Sequence, residues 1–152
     1  MRRRVSPQAG SRVLIVEDDS AVRGFLTQAL LSGGYAPLAV RTGEEALDVA
    51  RTDPPAVALV DGILPDMHGV RLAEAIIEIG GAAATAICFV TGAIRESVPA
   101  AAGIGALSKP LRLAELLSYI DLLTRWRESG GSPIDERREV MRRLEQGFLV
   151  GP

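Results

Sequence analysis

A chain of 152 residues holds one domain and at most a short appendage, and it can bury an adequate core. Hydrophobic residues make up 47% and aromatic residues only 4%, so that core has to be aliphatic. A formal net charge of -2 gives no footprint for nucleic acid or an anionic membrane surface.

Residues 1–11 combine three arginines with Ser, Pro, Gln and Gly and read as a loose arm. The start Met1-Arg2-Arg3-Arg4 has the charge of a signal-peptide head, but no long apolar stretch follows. A cytoplasmic chain without a membrane span is therefore expected. The first apolar run, Val13 to Val16, stops at Glu17-Asp18-Asp19. Ser20 then reads as the cap of a helix whose apolar face is Val22, Phe25, Leu26, Ala29 and Leu30, closed by Gly33-Gly34. Tyr35 to Val40 is a second strand, at an edge because of Pro37. Thr42-Gly43-Glu44-Glu45 opens a helix that runs to about Arg51 and stops at Asp53-Pro54-Pro55.

The run Ala56 to Val60 is a third strand and ends on Asp61, which opens the loop to Gly69. A helix with Val70, Leu72, Ala73, Ile76 and Ile77 apolar follows, closed by Gly80-Gly81. Ala86 to Val90 is a fourth strand, ending at Thr91; Cys88 within it reads as a small core residue in a reducing compartment. Gly92 to Gly103 makes a poor helix, since it contains Pro99 and has glycines at both ends. A fifth strand over Ile104 to Leu107 stops at Ser108-Lys109-Pro110, and a helix spans Leu111 to about Glu128. Ser129 to Pro133 is a linker, and Ile134 to Phe148 forms one more helix with Val140, Met141, Leu144 and Phe148 on one side. That stripe fits a helix docked on its own domain. Five near-continuous apolar strands alternating with helices predict a parallel sheet covered on both faces.

Four strand ends thus carry polar groups, where open α/β sheets bind ligands. Glu17, Asp18 and Asp61 would converge where the first and third strands lie side by side. Two carboxylates about 4 Å apart repel by about 4 kcal/mol at an effective dielectric of about 20. Such a cluster needs a cation or a proton, and all-oxygen ligands favour Mg²⁺ or Mn²⁺. One cysteine and one histidine cannot make a zinc site. Lys109 supplies a compact positive charge and Thr91 a hydroxyl donor, so Asp61 becomes a candidate nucleophile for an aspartyl phosphate. Taken singly, each of these residues has an ordinary explanation as a turn, cap or loop residue; taken together, in this order, they do not. His68 reads as a solvated loop residue, and Asp19 and Asp66 as loop or cap residues.

Val16-Glu17-Asp18-Asp19, Asp61 to Gly69, Thr91-Gly92 and Lys109-Pro110 together resemble the receiver domain of two-component response regulators, over residues 12–128. The resemblance implies a flavodoxin-like α/β fold, a five-stranded parallel sheet of order 2-1-3-4-5. It makes Asp61 the phosphoacceptor. Asp18, Asp61 and the backbone carbonyl of Ile63 would be the metal ligands, with Glu17 acting through water. Thr91 and Lys109 would bind the phosphoryl group, and the Lys109-Pro110 bond would be cis. The implied donor is a sensor histidine kinase or a histidine phosphotransfer protein. The implied product is a phosphoprotein that assists its own phosphotransfer rather than an enzyme.

This sequence departs from the family at the position three before the lysine, where an aromatic switch residue usually stands and Ala106 is found. The Thr91-to-Lys109 interval is short and contains Pro99, so the fourth helix is expected to be short or absent. Phe89-Val90-Thr91-Gly92 is similar to the Phe-Ala-Thr-Gly signature of a subgroup of single-domain receivers. Residues 129–152 are too few for a DNA-binding effector and carry no basic face. The expectation is a stand-alone regulator, a monomer or weak homodimer, that signals to a downstream protein partner or serves as a phosphate shuttle or sink. The competing expectation is a non-phosphorylated pseudo-receiver acting as a binding module. A phosphatase would want a second acid two residues after Asp61, where Ile63 stands.

Overall fold

A computed structural model describes residues 10–80 and 85–148. The expected arm over residues 1–11 lies largely outside them, as does Gly81. The elements in chain order are β1 (Arg12–Val16), α1 (Ser20–Ser32), β2 (Ala36–Val40), α2 (Gly43–Thr52), β3 (Val57–Asp61) and α3 (Gly69–Gly80). There follow β4 (Ala86–Thr91), β5 (Val98–Ala101), β6 (Ile104–Ser108), α4 (Leu113–Glu128) and α5 (Ile134–Gly147). They form an α/β flavodoxin-like sheet of order β2-β1-β3-β4-β6-β5, parallel except for the antiparallel β5–β6 pair.

The parallel part follows from burial. β1, β3, β4 and β6 are buried along nearly their whole length, which suits apolar runs covered on both faces. Alternate residues feed two cores. Val13, Ile15, Leu59, Cys88 and Leu107 meet α1 and α4, which bring Leu26, Leu30, Leu116 and Ile120. Leu14, Val60, Ile87, Phe89, Ile104 and Ala106 meet α2, α3 and α5. β2 is largely exposed and lies at the edge, where Pro37 is tolerated.

Two expectations need correction. Among the described residues the sheet has six strands, and the expected order 2-1-3-4-5 gains β5 beyond the last parallel strand. As expected, no helix stands between β4 and β6; the segment that Pro99 spoils for a helix forms this edge strand instead. A two-residue turn, Ala102-Gly103, with both residues at positive φ (52° and 72°), folds β5 back on β6. Finally, the cap of α1 is Asp19, not Ser20: its carboxylate accepts from the N–H groups of Ala21 and Val22. Thr42 does cap α2, and Asp66 adds a second cap across the loops by accepting from Gly43 and Glu44 N–H.

The helix expected at the C-terminal end is present, and it docks on its own domain. α5 lies against α3, with Met141 and Leu144 buried and Arg138 paired to Glu78. Its other anchor is Arg137, which is fully buried. Arg137 donates to the carbonyls of Thr85, Ala102 and Gly103, and its guanidinium lies 4.5 Å from the centre of the Trp126 ring. Burial lowers its pKa to about 10, so it stays charged at neutral pH.

Candidate functional site

The site forms where parallel strands end together. Val16 pairs with Val60, so the next residues, Glu17 and Asp61, leave the sheet side by side. Carboxylate oxygens of Glu17, Asp18 and Asp61 lie within 4.8 Å of one another. Glu17 is buried and Asp18 exposed, while Asp61 is partly buried. From the end of β6, Lys109 brings its Nζ to 3.5 Å from Glu17 Oε1 and 3.9 Å from Asp61 Oδ1. One ammonium faces two of the three clustered carboxylates. Glu17 responds to that imbalance. Burial raises its pKa first, and the Asp61 charge adds to the rise; the Asp19 N–H and Lys109 oppose it.

Backbone close approaches shape the rest. Gly69 donates its N–H to the Gly62 carbonyl at 2.9 Å, and a Cβ on Gly69 would lie 2.1 Å from the Asp61 carbonyl oxygen. Only glycine closes the loop this tightly. A Cβ on Gly62 would lie 2.7 Å from Thr91 Oγ1, so Thr91 stands directly against the residue after Asp61. Thr91 is buried, and its hydroxyl accepts from the Ala93 N–H at 3.0 Å. Lys109 donates its N–H to the Thr91 carbonyl, and the Lys109-Pro110 bond is cis, as the resemblance implies.

Of the sequence-predicted residues, Glu17, Asp18, Asp61 and Lys109 form one charged cluster, with Thr91 on its border. Ile63 lies in the adjoining loop with its side chain 67% exposed, and His68 is exposed. The donor set suits a hard divalent cation: three carboxylates, no thiolate or imidazole, and negative charge that one lysine leaves uncompensated.

A family model for the response regulator receiver domain matches residues 13–121. The chain belongs to that family. The receiver is 32% identical over 114 residues to the response regulator receiver protein CpdR of Brucella abortus (strain 2308), covering 72% of this chain and 93% of that protein. It is 32% identical over 119 residues to the response regulator MprA of Mycobacterium tuberculosis (strain ATCC 25177 / H37Ra), covering 75% of this chain and 50% of that one. The chain thus spans about half the length of the MprA regulators it matches. Among solved structures, a receiver domain protein from Methanospirillum hungatei JF-1 is 26% identical, with a TM-score of 0.66 over 80% of this chain and 98% of that one. The receiver domain of the sensor histidine kinase PA1611 from Pseudomonas aeruginosa PAO1 is also 26% identical, with a TM-score of 0.65 over 79% and 99%. That structure holds a magnesium ion coordinated in its active-site cleft.

Sequence reasoning missed several supporting residues. Arg23 donates to the backbone carbonyls of Glu17 and Asp18 at 2.9 and 2.8 Å, fixing the acidic turn from the first helix. Ser108 donates its hydroxyl to the Ile94 carbonyl, and its N–H donates to Ser97 Oγ. These two bonds hold the loop after Thr91 against β6. A polar residue one turn into a helix after an acidic strand end is the only local hint of Arg23.

Proposed function

We propose that this receiver accepts a phosphoryl group on Asp61 from a phosphohistidine of a sensor histidine kinase or a histidine phosphotransfer protein. The observation that carries the reading is the cluster of Glu17, Asp18 and Asp61 bridged by Lys109, whose Nζ faces both Glu17 and Asp61. In the transfer, an Asp61 carboxylate oxygen forms a bond to phosphorus while the phosphorus–nitrogen bond of the donor breaks. The imidazole leaves with the electron pair and takes up a proton. Lys109 balances charge on the phosphoryl oxygens. Among the described residues the Thr91 hydroxyl accepts from Ala93 and donates to none, so its hydrogen is available to one of those oxygens.

Asp18, Asp61, the Ile63 carbonyl and, through water, Glu17 are the groups proposed to hold Mg²⁺ or Mn²⁺. The ion would neutralise the cluster and the incoming phosphoryl charge. The receiver is read as a signalling phosphoprotein rather than an enzyme, acting in the cytoplasm, where its donor kinase domains reside. Among the described residues no helix is long and apolar enough to cross a membrane. Stand-alone action, through contact with a downstream protein or as a shuttle or sink, is supported by the likeness to CpdR, nearly all of which the match covers.

Acetyl phosphate with Mg²⁺, followed by intact mass, tests the reading. The wild type is expected to gain one phosphoryl group and Asp61→Asn none. An unmodified wild type would favour the pseudo-receiver.

A further inference from the structure

The sheet face beside α3 has no helix from the β4–β6 connection, and α5 covers it from the other end of the chain. Its direction is set by its contacts. Near its start, Arg137 bonds the carbonyls of Thr85 and Gly103, which precede β4 and β6. At its end, Glu145 pairs with Arg71 in the first turn of α3, and Phe148 packs edge-on against Phe89 with ring centres 5.3 Å apart. α5 therefore runs parallel to the strands and points its C-terminus at the phosphoryl site. The Phe148 ring lies 3.8 Å from where a Gly62 Cβ would be, and the same point lies 2.7 Å from Thr91 Oγ1. Ala106 faces this side of the sheet and is fully buried, leaving room for the helix.

The two ends of α5 are held differently. The base has a buried guanidinium with three carbonyl partners and an aromatic ring. The last turn has a solvent-facing Glu145–Arg71 ion pair, Leu144 and a half-buried Phe148, and a groove of about 540 Å³ opens along its side, lined by Ile94, Val98, Pro99, Val140 and Leu144. A helix C-terminus carries the negative end of the macrodipole. The last turn of α5 has no basic residue of its own to offset it, and its Glu145 is matched only by Arg71 across on α3. A phosphoryl group on Asp61 adds about two negative charges, one residue from the glycine under the Phe148 ring.

We propose that α5 is a hinged cover for the β4–β6 face, anchored at Arg137, whose last turn, Leu144 to Phe148, detaches when Asp61 is phosphorylated. Phe148 senses the site from outside the strand that Ala106 occupies, and its release uncovers Phe89 and the neighbouring groove. This rests on Asp61 being the phosphoacceptor.

Beryllofluoride with Mg²⁺, a mimic of an aspartyl phosphate, tests it by hydrogen exchange on the full chain, with the bound fluorine resonance reporting the adduct. With the adduct formed, the amides of Leu144 to Phe148 are expected to exchange faster, by on the order of ten-fold, while those of Arg138 to Met141 keep their rates. Phe148→Ala should already give fast exchange in that turn without beryllofluoride, and Asp61→Asn should not respond. An adduct with unchanged or slower exchange in the last turn overturns the hinge and leaves the phosphoacceptor reading intact, as does a Phe148→Ala variant that exchanges like wild type. No adduct on the wild type overturns the phosphoacceptor reading, and the hinge with it.

Discussion

Replacing Asp61 by Asn should stabilise the metal-free receiver, although it removes the central residue of the site. The Glu17, Asp18 and Asp61 oxygens lie within 4.8 Å of one another, so each pair repels by about 3.5 kcal/mol at an effective dielectric of about 20. Lys109, 3.9 Å from Asp61, returns about 4 kcal/mol of attraction on the same scale. Losing the Asp61 charge removes two repulsions and one attraction. Asp18 is exposed and the Lys109 side chain is 34% exposed, so screening reduces the net gain to about 1–2 kcal/mol. For a chain of this size that is a rise in Tm of about 2–8 °C. Thermal unfolding followed by circular dichroism in EDTA at neutral pH and low salt reads it directly. A Tm equal to or below that of the wild type would refute the electrostatic account. The same reasoning fixes a pH dependence. The Glu17 pKa is raised above the ordinary 4.5, by burial first and Asp61 second. Its contribution to stability is therefore present below pH 4.5 and is lost as pH climbs through the higher folded value. Asp61→Asn should shrink that loss without abolishing it, and Mg²⁺ should raise the Tm of the wild type more than that of the variant.

Ile63 is 67% exposed beside the site and cannot orient a water molecule through a polar side chain. Ile63→Asn should therefore speed decay of the phosphorylated protein by about ten-fold; equal decay by intact mass over time would exclude this cause of a long lifetime. Gly69→Ala drives a Cβ to 2.1 Å from the Asp61 carbonyl oxygen, so it should cost about 2 kcal/mol or more in urea unfolding and abolish phosphoryl uptake. Wild-type stability there would mean that the loop closes differently. Arg137→Met leaves the carbonyls of Thr85, Ala102 and Gly103 without their donor. It should cost about 2–4 kcal/mol, and a loss below about 1 kcal/mol would show that this buried charge is no anchor.

Most of the sheet could be read from the chain because Val13 to Val16, Ala58 to Val60, Ala86 to Val90 and Ile104 to Leu107 are buried on both sides. Continuous apolar runs that stop at polar residues announce such strands locally. β5 was not readable. Val98-Pro99-Ala100-Ala101 is short, contains proline and pairs on one side only, and Ala102-Gly103 lacks the Asn-Gly or Asp-Gly signature of a tight turn. That turn is held from a distance, by Arg137 on the Ala102 carbonyl and by Trp126, which fills the space where a Gly103 Cβ would stand. Arg137 itself falls at helical spacing with Met141, Leu144 and Phe148. Its charge disguises it as a solvent-facing residue, and only the tertiary fold supplies the carbonyls that make its burial tolerable. At the site the contrast is similar. Asp61, Thr91 and Lys109 were legible because strand ends place them, whereas Arg23 and Phe148 act through neighbours distant in sequence.

Borohydride trapping tests the central claim most directly. It reduces an aspartyl phosphate to homoserine, and peptide mapping then locates the modified residue. After treatment with acetyl phosphate and Mg²⁺, conversion is expected at Asp61 alone, and none is expected when EDTA replaces the metal. Conversion at another acidic residue, or none anywhere in a protein that has gained phosphate, would contradict the assignment of Asp61 as the phosphoacceptor.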